Sequence, residues 1–418
     1  MTTSTAHHLP SNITPEQALH LTRTLPTLLL LDLPPTTVLH IDLLQYQITD
    51  KFKGIKMIPT TVIHHITYLL PQHQQLAMSQ SFWLCTEHSR LGYTPALYVY
   101  RYDPQIESVR EIIVGSTEYN NYYSDVQHMQ YDSGLAPYPY HTYQQWLALT
   151  SCIDQHLVTR LQSHTESAPV STTKYKLSDK QLTAASQRNN TESQPNQIAV
   201  ATTSSSSTSS TTSKITQKQP PTSSTSTTIH FTPLPQKIPT FDKTPTLIQL
   251  LQQSYNNNYK HLLGELQFSF IELLISYNLT GLEQWRNIIE LLCSSDSAIE
   301  VYPQLYIQFL STLTAQLPHL PIDYFTDPLS SGLETKNLNF LQHYLQALDS
   351  IVRDTQNIDR RVVEGMMKLK VVLEKRFKLM LDVVVVGEDD EDEHQPTVVE
   401  LSDEQMKMVE AAEKGGGK

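Results

Sequence analysis

A long polar segment near the middle of the chain constrains the fold more than any other feature of the sequence. Between residues 201 and 228, 20 of the 28 residues are serine or threonine, and hydrophobic periodicity is absent from about residue 165 to residue 228. Such a segment cannot bury enough apolar surface to offset the conformational entropy that it would lose on folding. The sequence therefore predicts a long disordered linker over residues 165–228, with a folded region on each side.

The composition narrows the class of protein. The net charge of -12 argues against a nucleic-acid-binding surface, because neutralising a phosphate backbone requires clustered lysine and arginine. Cys85, Cys152 and Cys293 are odd in number and far apart, so neither a disulfide framework nor a Cys-x-x-Cys zinc site is expected. No apolar run approaches the roughly 20 residues that crossing a membrane requires. We therefore expect a cytoplasmic or nuclear protein without a membrane partner, a direct nucleic-acid partner, a metal or a cofactor.

The region before the linker has the periodicity of β-strands. Three segments are apolar or alternate with period two, at residues 28–33, 62–69 and 96–102. In the third, Leu97 and Val99 share one face and three tyrosines share the other, which predicts a sheet packed on one face and covered by aromatic or loop material on the other. A helical pattern follows at residues 142–161. We predict a β-rich domain over residues 15–164, sandwich or barrel-like, that ends in a helix.

After the linker the hydrophobic period changes to that of α-helices. Two apolar stripes lie at residues 282–292 and 302–313, and Thr280 and Ser297 each precede a glutamate by three positions, as in a capping box. Further helices are predicted at residues 245–255, 259–278, 334–353 and 359–381. Residues 229–382 should therefore form an all-α domain of about six antiparallel helices.

The tail, residues 383–418, combines negative charge with a strand-like segment. Residues 388–393 form an unbroken acidic block, which should be solvated because like charges repel. The strand-like residues that follow are Pro396, Thr397, Val398, Val399, Glu400 and Leu401. A tethered segment of this kind can add a strand to the edge of a sheet, either in a partner protein or in the N-terminal domain of the same chain. These six residues are the predicted protein-binding site.

No motif typical of an enzyme occurs in the sequence. Phosphate-binding glycine loops, a His-Glu-x-x-His zinc motif and a Gly-x-Ser-x-Gly nucleophile elbow are all absent. Cys85 and His88 lie near a predicted strand end, whereas His64 and His65 are neighbours on a predicted strand and should point to opposite faces. The last two therefore cannot bind one metal together. We predict no catalytic residue, with a hydrolase that uses Cys85 or the histidine pair as an alternative.

Two other sets of charged residues can be interpreted either as structural or as functional. Residues 51–56 interleave three lysines with Phe52, which would suit stacking on RNA, although a solvated turn is the simpler interpretation. Glu265 and Glu283 lie near predicted apolar faces and could form an acid/base pair. Capping and structural hydrogen bonds explain both glutamates more simply.

Several segments on both sides of the linker resemble one family, the Aar-two cistron-splicing factors. In the first half they are Leu28-Leu-Leu-Leu-Asp-Leu-Pro34, Lys51-Phe-Lys-Gly-Ile-Lys-Met-Ile-Pro59, and Leu135-Ala-Pro-Tyr-Pro-Tyr140 followed by Trp146. In the second half they are Leu262-Leu-Gly-Glu-Leu-Gln-Phe-Ser-Phe270, Glu283-Gln-Trp285, Leu291-Leu-Cys293, Pro321-Ile-Asp-Tyr-Phe325 and the tail Pro396-Thr-Val-Val-Glu-Leu401. Their order over most of the chain makes the resemblance specific.

The resemblance implies a fold and a function that the residues alone do not. It implies a VHS-like helical domain and a non-enzymatic pre-mRNA splicing factor that acts as an assembly chaperone of the U5 snRNP. The implied partner is the large U5 scaffold protein, whose RNase H-like and MPN-like domains the chain would bind as a monomer in a hetero-complex. Premature binding of the helicase and of RNA would thereby be blocked, in the cytoplasm and then the nucleus. A trafficking adaptor with a VHS-like domain is the alternative.

Overall fold

The computed structural model describes residues 14–60, 62–71, 78–162, 171–174, 229–234, 242–325 and 339–381. The chain divides into two compact units, Met1–Leu379 and Met380–Lys418. All elements described below belong to the first unit. We call residues 14–162 the N-terminal domain and residues 242–325 with 339–381 the helical region. The acidic block and the predicted strand of the tail lie outside the described residues.

Within the described residues, ten strands build two five-stranded sheets. In chain order they are β1 (Thr27–Leu31), β2 (Val38–Ile41), β3 (Leu44–Gln47), β4 (Gly54–Lys56), β5 (Ile63–Leu69), β6 (Met78–Cys85), β7 (Leu97–Asp103), β8 (Ser108–Glu111), β9 (Leu135–Pro137) and β10 (Ser171–Lys174). The first sheet has the order β8-β7-β1-β4-β9 and the second the order β10-β6-β5-β2-β3. β1 pairs in parallel with β7 and antiparallel with β4, so the first sheet is mixed. The β-rich domain predicted from the sequence is confirmed.

The two faces of β7 pack against different neighbours, as the alternation of its residues predicts. Tyr98 and Tyr100 belong to a core cluster that contains residues of both sheets, including Phe82 of β6. On the other face, Val99 packs with Tyr119, which lies on a helix at Thr117–Gln127. The tyrosine face therefore forms the core of a sandwich, and a helix that the sequence did not reveal covers the opposite face.

In the described part of the N-terminal domain, four helices accompany the sheets: α1 (Pro15–Thr24), α2 (Thr117–Gln127), α3 (Tyr143–Thr150) and α4 (Gln155–Leu161). The prediction of one helix over residues 142–161 is wrong, because the chain breaks between α3 and α4. Asp154 starts a new helix there, since its carboxylate accepts the backbone N–H of Leu157 at 2.7 Å. Trp146 of α3 donates its indole N–H to the carbonyl of Ile63 at 2.8 Å, which fixes α3 on β5.

Seven helices form the described part of the helical region: α5 (Thr244–Ser254), α6 (Tyr259–Ser276), α7 (Leu279–Cys293), α8 (Ala298–Val301), α9 (Pro303–Gln316), α10 (Phe340–Asp354) and α11 (Arg360–Phe377). The two predicted capping boxes are wrong. Asn278 caps α7 instead of Thr280, and its side chain accepts from the N–H groups of Thr280 and Gly281. Ser297 does not cap α8, and the longer helix α9 begins at Pro303.

Of the predicted linker, residues 165–228, the structure describes only Ser171–Lys174. These four residues form β10, an edge strand that pairs antiparallel with β6 from Met78 to Ser81. They have regular structure although the composition predicts none for them. The rest of that segment lies outside the described residues. None of the helices in the described parts of the chain is long and apolar enough to cross a membrane.

Candidate functional site

The cysteine proposed as an alternative nucleophile has a structural environment. Cys85 ends β6, and its carbonyl accepts the hydroxyl of Tyr98 at 3.0 Å. Burial, followed by the negative charge of Glu87, raises the pKa of the Cys85 thiol. Reactive cysteines need the opposite shift, because the thiolate is the nucleophile. The carbonyl of His88 accepts the N–H of Ala96 at 3.0 Å, so His88 also lies in a backbone-ordered turn.

His64 and His65 point to opposite faces of β5, as predicted. The Nδ1 atom of His64 lies 2.7 Å from Asp42 Oδ2, and Tyr138 donates its hydroxyl to the same oxygen at 2.6 Å. Burial and then the charge of Asp42 raise the pKa of Tyr138 far above its usual value, so that Tyr138 remains a donor. His65 instead packs against Trp83, with ring centroids 4.5 Å apart. Within the described residues, no group of three or more His, Cys, Asp or Glu side chains is placed to hold a metal.

The lysine segment at residues 51–56 contributes to the first sheet. Ile55 is buried in β4, and Lys56 forms an ion pair with Asp132. Gly54 lies so close to β1 that a Cβ atom there would be 2.0 Å from the carbonyl oxygen of Leu28. Only Lys51 and Lys53 lie outside the strand, so the interpretation as a solvated turn fits the first residues of the segment alone.

The two candidate glutamates differ in their surroundings. Glu265 of α6 is fully buried and accepts several hydrogen bonds, whereas Glu283 of α7 is exposed. The residue of α7 that contacts Glu265 is Gln284, whose amide donates to Oε1 at 2.9 Å. The structural role predicted for Glu265 is confirmed, and the imagined pairing of Glu265 with Glu283 is replaced by a glutamate–glutamine contact. The predicted tail site, Pro396 to Leu401, lies outside the described residues.

The structure reveals a site that was not predicted from the sequence, where α6 packs against the N-terminal domain. Of the 18 residues of α6, 13 are buried, and several of these are polar. Buried polar side chains require hydrogen-bond partners, because an unpaired donor or acceptor loses its contacts with water without compensation. Glu265, Gln267 and Glu272 each have a hydrogen-bond partner in the N-terminal domain.

The C-terminal half of α6 contacts β5 and β6. Phe268 and Glu272 are four residues apart and so lie on one face of the helix. The ring of Trp83 stacks on Phe268 with centroids 4.7 Å apart, and its indole N–H donates to Glu272 Oε1 at 2.8 Å. His65 lies 3.5 Å from the same carboxylate oxygen and 3.5 Å from the hydroxyl of Ser276. All five side chains are buried in this contact.

The N-terminal half of α6 contacts the break between α3 and α4. The backbone N–H of Cys152 donates to Gln267 Oε1 at 2.7 Å, and the amide of Gln267 donates to Ser151 Oγ at 3.0 Å. A Cβ atom on Gly264 would lie 2.3 Å from the carbonyl oxygen of Cys152. Glycine is therefore required at position 264, because any side chain would collide with the backbone of the N-terminal domain.

One sequence signal could have revealed this site. Residues 262–270 form a strongly apolar helix that is interrupted by Gly264, Glu265 and Gln267. Polar groups and a glycine within a buried helix indicate that another backbone approaches closely and supplies hydrogen bonds. The identity of the neighbour could not be inferred, because Cys152 and Gln267 are separated by 115 positions in the chain.

Comparisons with known proteins give matches to the same two folded regions. A family model described as the AAR2 N-terminal domain matches residues 24–163, and one described as the AAR2 C-terminal repeat region matches residues 237–382. The Protein AAR2 homolog of Homo sapiens is 26% identical over 389 residues, which cover 90% of this chain and 93% of the relative. The Protein AAR2 homolog of Caenorhabditis elegans is 24% identical over 363 residues, which cover 84% and 93%. With both folded regions matched, the chain belongs to the AAR2 family.

Proposed function

We propose that this chain is a pre-mRNA splicing factor that acts as an assembly chaperone of the U5 snRNP. The observation that carries the proposal is that both folded regions match the same family, with relatives aligned over about 90% of the chain. Family membership supports the coarser part, a splicing-related role. The finer part, action on the U5 particle, rests on the resemblance of the sequence motifs to the cistron-splicing factors.

The proposed partner is the large U5 scaffold protein. The chain would bind its RNase H-like and MPN-like domains as a monomer in a hetero-complex, and so keep the helicase and RNA away until the particle matures. Assembly of this kind begins in the cytoplasm and ends in the nucleus, so the chain would be present in both compartments. It would act by occupying protein surfaces, without a reaction of its own, a metal or a direct nucleic-acid contact.

The environments of the candidate reactive residues support a role without catalysis. The thiol of Cys85 has a raised pKa, and the side chain of His64 is engaged with Asp42 in the interior. Glu265 is surrounded by donors within the protein. Each group thus has a structural partner that accounts for its position.

The tail is the proposed point of strand addition. Thr397, Val398 and Val399 have the β-branched side chains that strands favour, and the acidic block before them would act as a solvated tether. Main-chain hydrogen bonds to the edge of a partner sheet would supply affinity, and the side chains that alternate along Pro396 to Leu401 would supply selectivity.

A pull-down from cell extract followed by mass spectrometry tests the proposal. We expect the full-length chain to capture the large U5 scaffold protein without the helicase. A chain that lacks residues 394–418 should capture several-fold less scaffold protein and have an unchanged melting temperature. The matched control is a shuffled tail of the same composition, in which Val398 changes places with Thr397 and Val399 with Glu400. Absence of the scaffold protein from the full-length capture would refute the proposed partner.

A further inference from the structure

A short segment that follows the central polar stretch contacts both folded regions. Ile229 forms an isolated β-bridge with Gln162, and the backbone N–H of His230 donates to the carbonyl of Leu161 at 2.7 Å. Three residues later the segment meets α6, where the backbone N–H of Thr232 donates to Glu265 Oε1 at 2.6 Å. Residues 229–234 therefore join the end of α4 to the middle of α6.

Glu265 is the central acceptor at this junction. Besides the backbone of Thr232, four side chains donate to its two oxygens: Thr232 (2.8 Å), Arg160 (2.7 Å), Gln284 (2.9 Å) and Tyr255 (3.1 Å). We call these five residues the Glu265 cluster. Arg160 lies on α4, Thr232 in the segment 229–234 and Tyr255 directly after α5. Glu265 lies on α6 and Gln284 on α7. One buried carboxylate thus holds five elements of the chain.

The Glu265 cluster is continuous with the apolar contacts at the interface. Phe231 packs edge-on against Phe268 with ring centroids 6.1 Å apart, and Phe268 stacks on Trp83 of the N-terminal domain. Arg160 also donates to the hydroxyl of Thr232 at 2.7 Å, so Arg160, Thr232 and Glu265 form a closed ring of hydrogen bonds. Networks in which every member is satisfied specify one arrangement, because any displacement leaves several buried groups unpaired.

We propose that the N-terminal domain and the helical region are bound to each other by this interface, with the Glu265 cluster as its main polar contact, and that the covalent connection through residues 175–228 is not needed to hold them together. The α3–α4 break and β6 of the N-terminal domain thus bind α6 and the segment 229–234 of the same chain. The two regions act as one rigid body. This inference does not depend on the proposed function.

Four observations support a tight association. At the interface, the backbone of the N-terminal domain approaches α6 closely at Gly264, and the rings of Trp83 and Phe268 stack. Two buried carboxylates, those of Glu265 and Glu272, accept hydrogen bonds from the N-terminal domain. Buried aromatic rings and charge-assisted hydrogen bonds at the centre of a contact are the features that dominate binding energy between separate proteins. The contact therefore has the chemistry of a stable protein–protein interface.

The test is to cut the folded full-length protein between the two regions. A protease recognition sequence is inserted after Asn196, the purified protein is cleaved, and the products are passed through a gel-filtration column at about 1 µM. We expect both fragments to elute together at the volume of the uncut protein. That concentration is chosen because stable, specific interfaces commonly have dissociation constants below it. Separation of the fragments at this concentration would overturn the proposal.

The cluster itself is tested with Glu265→Gln in the cleavable protein. The amide N–H groups of the glutamine would face the donors that now bind the Glu265 carboxylate, so that donor meets donor. The dissociation constant of the two fragments should therefore rise roughly tenfold or more. Glu290→Gln is the matched control, since Glu290 forms a partly exposed pair with Lys243 inside the helical region. Its effect should be less than twofold. Equal effects of the two substitutions would show that Glu265 has no special part in the contact.

A second variant keeps the test decisive if Glu265→Gln does not fold. Thr232→Val removes one hydroxyl from the cluster and leaves the backbone bond to Glu265 in place. We expect the fragments to dissociate several-fold more readily, while circular dichroism of the cleaved protein, measured before the fragments separate, remains that of the wild type. Fragment association that is unaffected by Thr232→Val would count against the cluster as the main polar contact.

Discussion

The two faces of the second sheet pack in different ways, and two neighbours on β6 show the difference. Phe82 lies in the apolar core between the sheets, with its ring centroid 4.6 Å from that of Tyr100. Trp83 faces the helical region, where it stacks on Phe268 and donates its N–H to Glu272. The first contact needs only a suitable volume, whereas the second needs a donor opposite an acceptor. Around Phe82 the interior of the domain is therefore held by apolar packing, whereas at Trp83 the interface with α6 adds a matched donor and acceptor.

The largest expected effect is in the apolar core. Phe82→Ala should lower the free energy of unfolding by about 3–5 kcal/mol, because it removes buried ring surface and leaves a cavity. Phe82→Leu, which keeps more of the volume, should cost about 1.5 kcal/mol or less. Urea unfolding followed by circular dichroism measures both. Similar costs for the two substitutions would show that packing volume is not what Phe82 contributes.

The next effect concerns the close approach of α6 to the N-terminal domain. Gly264→Ala should lower the free energy of unfolding by about 3 kcal/mol, because the added Cβ would meet the carbonyl oxygen of Cys152 at 2.3 Å. The control is Gly365→Ala in α11, where the three atoms nearest to the added Cβ belong to the side chain of Leu310, the closest of them at 3.2 Å. That change should alter stability by about 1 kcal/mol or less. A tolerated Gly264→Ala would mean that α6 can move away without loss.

A smaller effect compares two indole hydrogen bonds. Trp83→Phe removes the N–H that Glu272 accepts, and should cost about 2 kcal/mol because the acceptor is a buried carboxylate. Trp146→Phe removes an N–H whose acceptor is the neutral carbonyl of Ile63, and should cost about 1 kcal/mol. The comparison uses the same chemical change at two buried tryptophans. If Trp146→Phe were the more costly, the interface would not owe its stability to charge-assisted bonds.

The smallest expected effect is a dependence of stability on pH that both regions share. Burial, and then the nearby imidazole of His65, lowers the pKa of His40 below 6.5, and burial with the charge of Arg376 does the same for His319. The unfolded chain therefore binds more protons than the folded one just below pH 6.5, so stability should fall as the pH decreases from 7.5 through this range. His40→Asn and His319→Asn should each flatten the curve, measured as melting temperature against pH.

Much of the architecture could be predicted from the sequence. The period-two segments around β1, β5 and β7 and the apolar stripes of α7 and α9 are all present where the pattern placed them. Hydrophobic periodicity succeeds there because it reports which side of an element is buried. The same property explains why Trp146, Leu149, Ile153 and Leu157 are all buried although the helix predicted to carry them is two helices.

The candidate site was only partly predictable. Glu265 was correctly given a structural role, and the opposite orientations of His64 and His65 follow from the strand alone. The donors to Glu265 and the contacts of Trp83 could not be anticipated, because Trp83 and Glu272 are separated by 189 positions. Periodicity carries no information about which distant element covers a buried face.

The sequence by itself determined the positions of several strands and helices, the division into a sheet-built and a helix-built region, and the membership of a family, because these depend on local period and on motif order. Only the tertiary structure decided that α6 lies against the break between α3 and α4, that Gly264 allows this approach, and that one glutamate of α6 accepts hydrogen bonds from four other parts of the chain. The physical reason is that a buried polar group is stabilised by the geometry of its partners. That geometry exists only after segments far apart in the chain have come together.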